Sequence, residues 1–142
     1  MRALNASNLT TTPRRARLRA TQINMALWTF QGWLAMFFTA AGYAKLTEPM
    51  ANLEALLGWA EGAPAWLVRG TGGLEIVVGL LVLAPLASWK LGRTPMLAAA
   101  AMAAALSLIM FGVHLMRLEW AGAVVNAALF ALAATVVKGR SV

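Results

Sequence analysis

Residues 94–116 read TPMLAAAAMAAALSLIMFGVHLM and carry no formal charge, with His114 as their only titratable side chain. A helix of this length spans about 34 Å at 1.5 Å per residue, which is enough to cross about 30 Å of hydrocarbon. The stretch is uniformly apolar and lacks the period-two alternation of a barrel strand. Its run of alanines is typical of helices that pack closely in a membrane. We therefore predict a membrane-spanning helix here.

Three other stretches have the same character. Residues 20–44 and 120–137 carry no charge, and residues 70–89 carry only Glu75. The whole chain agrees, because 61% of its 142 residues are hydrophobic and 12% are charged, which is about half the charged share of a soluble domain. The sequence thus predicts an all-α protein, an integral membrane four-helix bundle in a lipid bilayer. The expected spans are about 25–43, 66–86, 96–115 and 121–137.

The segment before the first predicted span is polar and basic. We expect residues 1–20 to form a disordered or surface-lying cytoplasmic tail and residues 21–142 to form the transmembrane domain. The paired arginines that begin at Arg14 also occur in twin-arginine export signals, but Arg17 stands where that signal prefers an apolar residue. The longest linker contains residues 50–57, which we interpret as an amphipathic connector, with a brief interfacial helix as the alternative.

The basic residues predict the orientation of the bundle. Nine lysines and arginines lie on one side of the predicted spans and three lie on the other. The positive-inside rule therefore places both termini in the cytoplasm, an N-in/C-in arrangement. The inner group is Arg2, Arg14, Arg15, Arg17, Arg19, Lys90, Arg93, Lys138 and Arg140, and the outer group is Lys45, Arg69 and Arg117.

The composition excludes several kinds of site. The chain has no cysteine, which removes disulfides, thiolate chemistry, iron–sulfur clusters and cysteine zinc sites. With a single histidine, we expect no metal site built by this chain alone. The net charge of +7 would suggest nucleic acid in a soluble protein. Because these charges lie at the ends of apolar spans, we interpret them as topology signals and expect no nucleic-acid partner.

Polar side chains within the spans are the candidate functional residues, because such groups are costly in lipid and usually face protein or water. Glu75 lies about two and a half turns into the second span, on the same helical face as Gly72 and Gly79. The glycines predict that a neighbouring helix approaches closely and that Glu75 points into the bundle. Thr71, one turn away, is a candidate hydrogen-bond partner for Glu75.

The other spans place a polar residue at a similar depth. Lys45 ends the first, His114 lies near the outer end of the third, and Asn126 lies near the outer end of the fourth. We predict that these three and Glu75 form one polar site in the outer half of the bundle. Simpler interpretations stay open: Lys45 extends to the head groups, His114 is an interfacial residue, and Asn126 joins helices by hydrogen bonds. For Glu75, the simpler interpretation is a structural ion pair with Lys45 or His114.

Three glycine-containing segments occur in a fixed order along the spans. They are Ala41-Gly42-Tyr43-Ala44-Lys45-Leu46, Gly70-Thr71-Gly72-Gly73-Leu74-Glu75-Ile76-Val77-Val78-Gly79 and Gly112-Val113-His114-Leu115-Met116-Arg117. With these segments, residues 28–137 resemble the DoxX-like family of small four-helix bacterial membrane proteins. The resemblance implies a multi-pass protein of the bacterial inner (cytoplasmic) membrane. By matching position it carries over Lys45, Glu75 and His114 as a polar site.

The resemblance also implies a redox context. Relatives in the family include a thiosulfate:quinone oxidoreductase subunit and proteins linked to redox complexes, so a quinone is the implied cofactor and an oxidoreductase the implied partner. A redox-associated, quinone-linked membrane subunit is the function we favour. The alternatives are a membrane scaffold or assembly factor without catalysis, and a small proton-coupled transporter. The sequence leaves open whether the chain is an enzyme by itself and whether it forms a homo-oligomer.

Overall fold

The protein is all-α, as the sequence predicts. The computed structural model describes residues 7–141. Its helices are α1 (Ser7–Thr47), α2 (Met50–Leu57), α3 (Ala65–Val82), α4 (Trp89–Met116) and α5 (Trp120–Ser141), with a 3₁₀ turn at Ala84–Leu86. Pro49 and Pro64 stand immediately before α2 and α3, where a missing backbone N–H costs no helical hydrogen bond. Ser88 caps α4, because its side chain accepts a hydrogen bond from the Leu91 N–H.

The four long helices of the described chain pack in a cyclic order. α1 contacts α3, α3 contacts α4, α4 contacts α5, and α5 contacts α1. Neighbours run in opposite directions, so the last turns of α1 and α4 meet the first turns of α3 and α5. We name this the Lys45 end of the bundle, and the opposite end the Arg140 end. The connector between α1 and α3 contains α2, and its Leu53 and Ala60 pack with Val68 in a small buried cluster at the Lys45 end.

Three segments within residues 7–141 are long and apolar enough to cross a membrane. They are Ala65–Leu86, Trp89–Met116 and Trp120–Ser141, with mean hydropathies of 1.8, 2.2 and 1.9. They correspond to three of the four predicted spans and indicate a multi-pass membrane protein. The remaining predicted span, residues 25–43, lies within α1 and is not among these three segments. Gln31 and other polar residues lower the mean hydropathy of α1 there. The crossing by α1 and the N-in/C-in orientation stay predictions.

The basic segment is helical where the structure describes it. α1 runs without a break from Ser7 to Thr47, so the expectation of disorder is wrong for residues 7–20. Side chains of residues 14–20 are exposed, and residues 1–6 lie outside the described part of the chain. The cytoplasmic location of this segment remains a prediction.

α1 and α3 approach closely at the glycines of α3. A Cβ added to Gly79 would lie 2.5 Å from Thr39 Oγ1 and 3.0 Å from the Ala35 carbonyl oxygen. A Cβ added to Gly72 would lie 2.7 Å from the Lys45 Cβ. The predicted close approach on this face is therefore confirmed. Such contacts hold membrane helices together, because lipid is as apolar as leucine and burial between helices gains little.

Candidate functional site

Lys45 and Glu75 form an ion pair between α1 and α3. The Lys45 Nζ lies 2.6 Å from Glu75 Oε1 and 2.5 Å from Oε2, and the two side chains are 8% and 13% exposed. Lys45 is therefore buried and does not extend to the head groups. A structural pair between Glu75 and Lys45 is one of the simpler interpretations of the sequence, and this contact is present. The alternative partner for Glu75, His114, pairs elsewhere.

Arg69 fixes the backbone around this pair. Its guanidinium donates from Nη1 to the Lys45 carbonyl at 2.5 Å and from Nη2 to the Glu48 carbonyl at 2.7 Å. Both carbonyls belong to the C-terminal end of α1, where backbone acceptors have no partner within the helix. Thr71 does not form the expected hydrogen bond with Glu75. Its hydroxyl donates to the Val68 carbonyl at 2.8 Å, the bond back along its own helix that threonine commonly makes.

His114 lies in the last turn of α4 and is held by the α4–α5 turn. Its Nδ1 lies 2.6 Å from Glu119 Oε2, and Glu119 Oε1 accepts from Arg117 Nε at 2.7 Å. Two hydrogen bonds, the one from Arg117 with the larger effect and the one from His114 with the smaller, hold the pKa of the Glu119 carboxyl below its ordinary value. Glu119 therefore stays ionised at neutral pH. His114 is half-buried and pairs with Glu119. A histidine that only lies at the membrane interface would have no such partner.

Asn126 lies in the second turn of α5 and faces the same region. Its Nδ2 donates to the Gly122 carbonyl at 2.9 Å. This bond stays within α5, so the interpretation of Asn126 as a hydrogen bond between helices is wrong. Gly122 brings α5 against the histidine, since a Cβ there would lie 2.5 Å from His114 Nδ1.

The four predicted site residues line one cavity at the Lys45 end. The cavity has a volume of about 310 Å³. Phe37 and Ala41 from α1, Met110 from α4 and Val125 from α5 supply apolar wall. Trp59, from the loop after α2, lines it from the connector side. The remaining lining residues are Lys45, Glu75, His114, Asn126, Leu57, Ala121 and Gly122.

This arrangement offers hydrogen-bond donors and acceptors on an apolar wall. Lys45 contributes an ammonium, Glu75 a carboxylate and His114 an imidazole, each from a different helix. Among the described residues, no group of three histidine, cysteine or acidic side chains is placed to hold a metal ion. A few polar groups on an apolar wall are the usual composition of a small-molecule cavity.

Sequence reasoning missed a second buried polar cluster, at the Arg140 end. Arg140 is 7% exposed and donates from Nε to Gln31 Oε1 at 2.9 Å and from Nη1 to Asn24 Oδ1 at 2.6 Å. Its guanidinium carbon lies 5.0 Å from the ring centroid of Trp28 and 5.1 Å from that of Trp89. In the sequence, Arg140 is one of two basic residues beyond the last predicted span. Trp28 and Trp89 lie near the ends of predicted spans, where membrane proteins concentrate tryptophan, and they were the available signal.

A bundle of apolar helices with a polar cavity at one end defines a class: small multi-pass α-helical membrane proteins. The model of the DoxX-like family matches residues 29–136. The chain belongs to the DoxX-like family, which confirms the resemblance drawn from the three glycine-containing segments. No curated protein and no solved structure matches the chain.

Proposed function

We propose that this protein is a redox-associated subunit of the bacterial inner membrane that binds a quinone-type ring in the cavity at the Lys45 end and works with a partner oxidoreductase. The observation that carries the proposal is the cavity itself. It combines about 310 Å³ of space with apolar walls and polar groups from four helices. Pockets for small molecules fall in the range of about 300–1,000 Å³ and have this mixed lining.

The proposal includes four spans with both termini in the cytoplasm. The surplus of lysine and arginine at the Arg140 end supports this orientation. It places the cavity toward the outer face of the membrane. A lipid-soluble ring can reach a cavity at that depth from the bilayer, because half-exposed Phe37 forms part of both the wall and the outer surface of α1.

The residues present fit a quinone. The Lys45 ammonium has three hydrogens, and its bonds to the two oxygens of Glu75 leave one free for a ring oxygen. Phe37, Trp59 and Met110 line the cavity and would supply apolar and aromatic surface to a bound ring. Asn126 uses one amide hydrogen on Gly122 and keeps the other.

The chain's own residues bind, orient and exclude water. A bound quinone supplies a two-electron, two-proton redox couple. The ion pair holds the Lys45 donor in place, and Glu75 balances its charge where the bilayer would otherwise penalise it. The sequence has no cysteine, so this chain offers no thiol redox centre. In this proposal the partner oxidoreductase supplies or accepts the electrons.

Ala41 and Ala40 offer a matched test of the cavity. Ala41 lines the cavity and Ala40 is exposed on the same helix, so Ala41→Leu fills the space while Ala40→Leu adds the same atoms outside it. Wild type and both variants would be purified from gently solubilised membranes, and bound quinones and proteins identified by mass spectrometry. We expect wild type and Ala40→Leu to retain a quinone and Ala41→Leu to lose it. Equal retention by all three, or by none, would contradict the proposal.

A scaffold or assembly role is the second candidate. It is favoured by the completeness of the Lys45–Glu75 pair, which joins α1 to α3 and satisfies both charges. In this case the pair only stabilises the bundle. Recovery of the same partner protein with wild type and Ala41→Leu, and of a quinone with neither, would support the scaffold.

A further inference from the structure

Glu119 connects the cavity histidine to the outer surface of the Lys45 end. Its two carboxylate oxygens bond separately, Oε2 to His114 Nδ1 and Oε1 to Arg117 Nε. The carboxylate also lies against Gly58, where an added Cβ would be 2.6 Å from Oε1. Three contacts thus fix the position of this side chain, although it is 32% exposed.

The contact with Glu119 determines which nitrogen of His114 carries the hydrogen. An ionised carboxylate only accepts hydrogen bonds, so the hydrogen between Glu119 and His114 belongs to Nδ1. A neutral imidazole carries a single ring hydrogen, and the partner of one nitrogen decides the state of the other. With Nδ1 protonated, Nε2 keeps its lone pair. Among the described residues, Nε2 has no hydrogen-bond partner.

We propose that Glu119 is a positioning residue that holds His114 with its hydrogen on Nδ1, so that the cavity presents an acceptor at Nε2 and selects ring ligands that carry a hydroxyl group. This rests on the proposed function for the identity of the ligand as a quinone or hydroquinone. Lys45 donates to a ring oxygen in either oxidation state, whereas Nε2 accepts only from the hydroxyl of the reduced form. The cavity therefore binds hydroquinones more tightly than quinones. One neutral hydrogen bond makes this preference about threefold to tenfold.

The tautomer can be measured without any ligand, because His114 is the chain's single histidine. Protein labelled with ¹⁵N-histidine gives one imidazole pattern by NMR in detergent, at pH about 8, above the range in which free imidazole titrates. We expect hydrogen on Nδ1 in wild type. Glu119→Gln keeps an acceptor oxygen and should keep this pattern, whereas Glu119→Leu offers none and should lose it. Hydrogen on Nε2 in wild type, or no change in Glu119→Leu, would overturn the proposal.

The ligand preference is measured by calorimetric titration with tetramethylhydroquinone and tetramethylbenzoquinone. Ala41→Leu serves as the control for ring partition into the micelle. We expect wild type to bind the hydroquinone about threefold to tenfold more tightly. In Glu119→Leu the two affinities should become equal while quinone binding persists. Equal affinities in wild type would refute the preference.

The two measurements separate failure of this inference from failure of the proposed function. If neither ring binds wild type, the quinone proposal and the ligand preference both fail. Hydrogen on Nδ1 that depends on Glu119 would still establish Glu119 as a positioning residue. If both rings bind but Nε2 carries the hydrogen, the quinone site stands and Glu119 does not position His114.

Discussion

Glu75→Gln tests whether the ion pair is sequestered from solvent. The variant keeps the shape of the side chain but leaves the Lys45 ammonium, 8% exposed, without a counter-charge. Removing one partner of a buried pair costs about 3–5 kcal/mol. Because the pair lines a cavity large enough to admit water, we expect the lower end, about 3 kcal/mol. At about 1.4 kcal/mol per factor of ten, this is a change of more than a hundredfold in the unfolding equilibrium.

The assay is unfolding by SDS in mixed micelles, followed by tryptophan fluorescence. Glu54→Gln is the matched control, since Glu54 is exposed on α2 and makes no ion pair within the described chain. It should change the free energy of unfolding by no more than about 0.5 kcal/mol. The double variant Lys45→Met with Glu75→Leu should recover most of the loss, because apolar replacement of a whole buried pair is commonly neutral or stabilising. Equal stability of Glu75→Gln and Glu54→Gln would refute the argument.

Three further outcomes follow from the packing, the charge distribution and Glu119. Gly79→Leu should lower the melting temperature in detergent more than Leu81→Ala does, since Gly79 contacts the α1 backbone and Leu81 is 39% exposed; the reverse order would contradict this packing. In the cysteine-free chain, a membrane-impermeant maleimide should label Glu61→Cys in intact cells and Leu91→Cys only after permeabilisation, and the opposite pattern would invert the topology. The pKa of Glu119 is lower in the folded protein than its ordinary value of 4.5. The stability that its ionised form contributes is therefore complete above pH 4.5 and is lost as the pH falls through the folded pKa. Over that pH range the melting temperature of wild type should fall by more than that of Glu119→Gln, and an equal fall would contradict the argument.

The position of the candidate site could be predicted from the sequence because helix direction alternates along the chain. Once the spans are known, the end of the first, the beginning of the second, the end of the third and the beginning of the fourth share one side of the membrane. Lys45, His114 and Asn126 occupy three of those places, and Glu75 lies about two and a half turns into the second span. The structure brings all four to one cavity. Their action on a ligand remains a prediction.

Specific partners were harder to predict, because they depend on local geometry. Thr71 could reach Glu75 by helical spacing, yet its hydroxyl bonds to its own backbone, which costs no side-chain rearrangement. Glu119 lies outside the spans. The short turn between α4 and α5 brings its carboxylate within hydrogen-bond distance of His114. The helical conformation of residues 7–20 could not be foreseen either, since their polar composition shows no apolar periodicity.

The buried Arg140 means that the Arg140 end of the bundle acquires its hydrogen bonds long after α1 has been synthesised. It bonds to Gln31 and Asn24, which precede it by 109 and 116 residues. Until Arg140 has been synthesised, these two amides are without this partner. The hydrogen bonds that join α1 to α5 at this end thus form only after translation has passed Arg140, and a chain that stops before Arg140 lacks them.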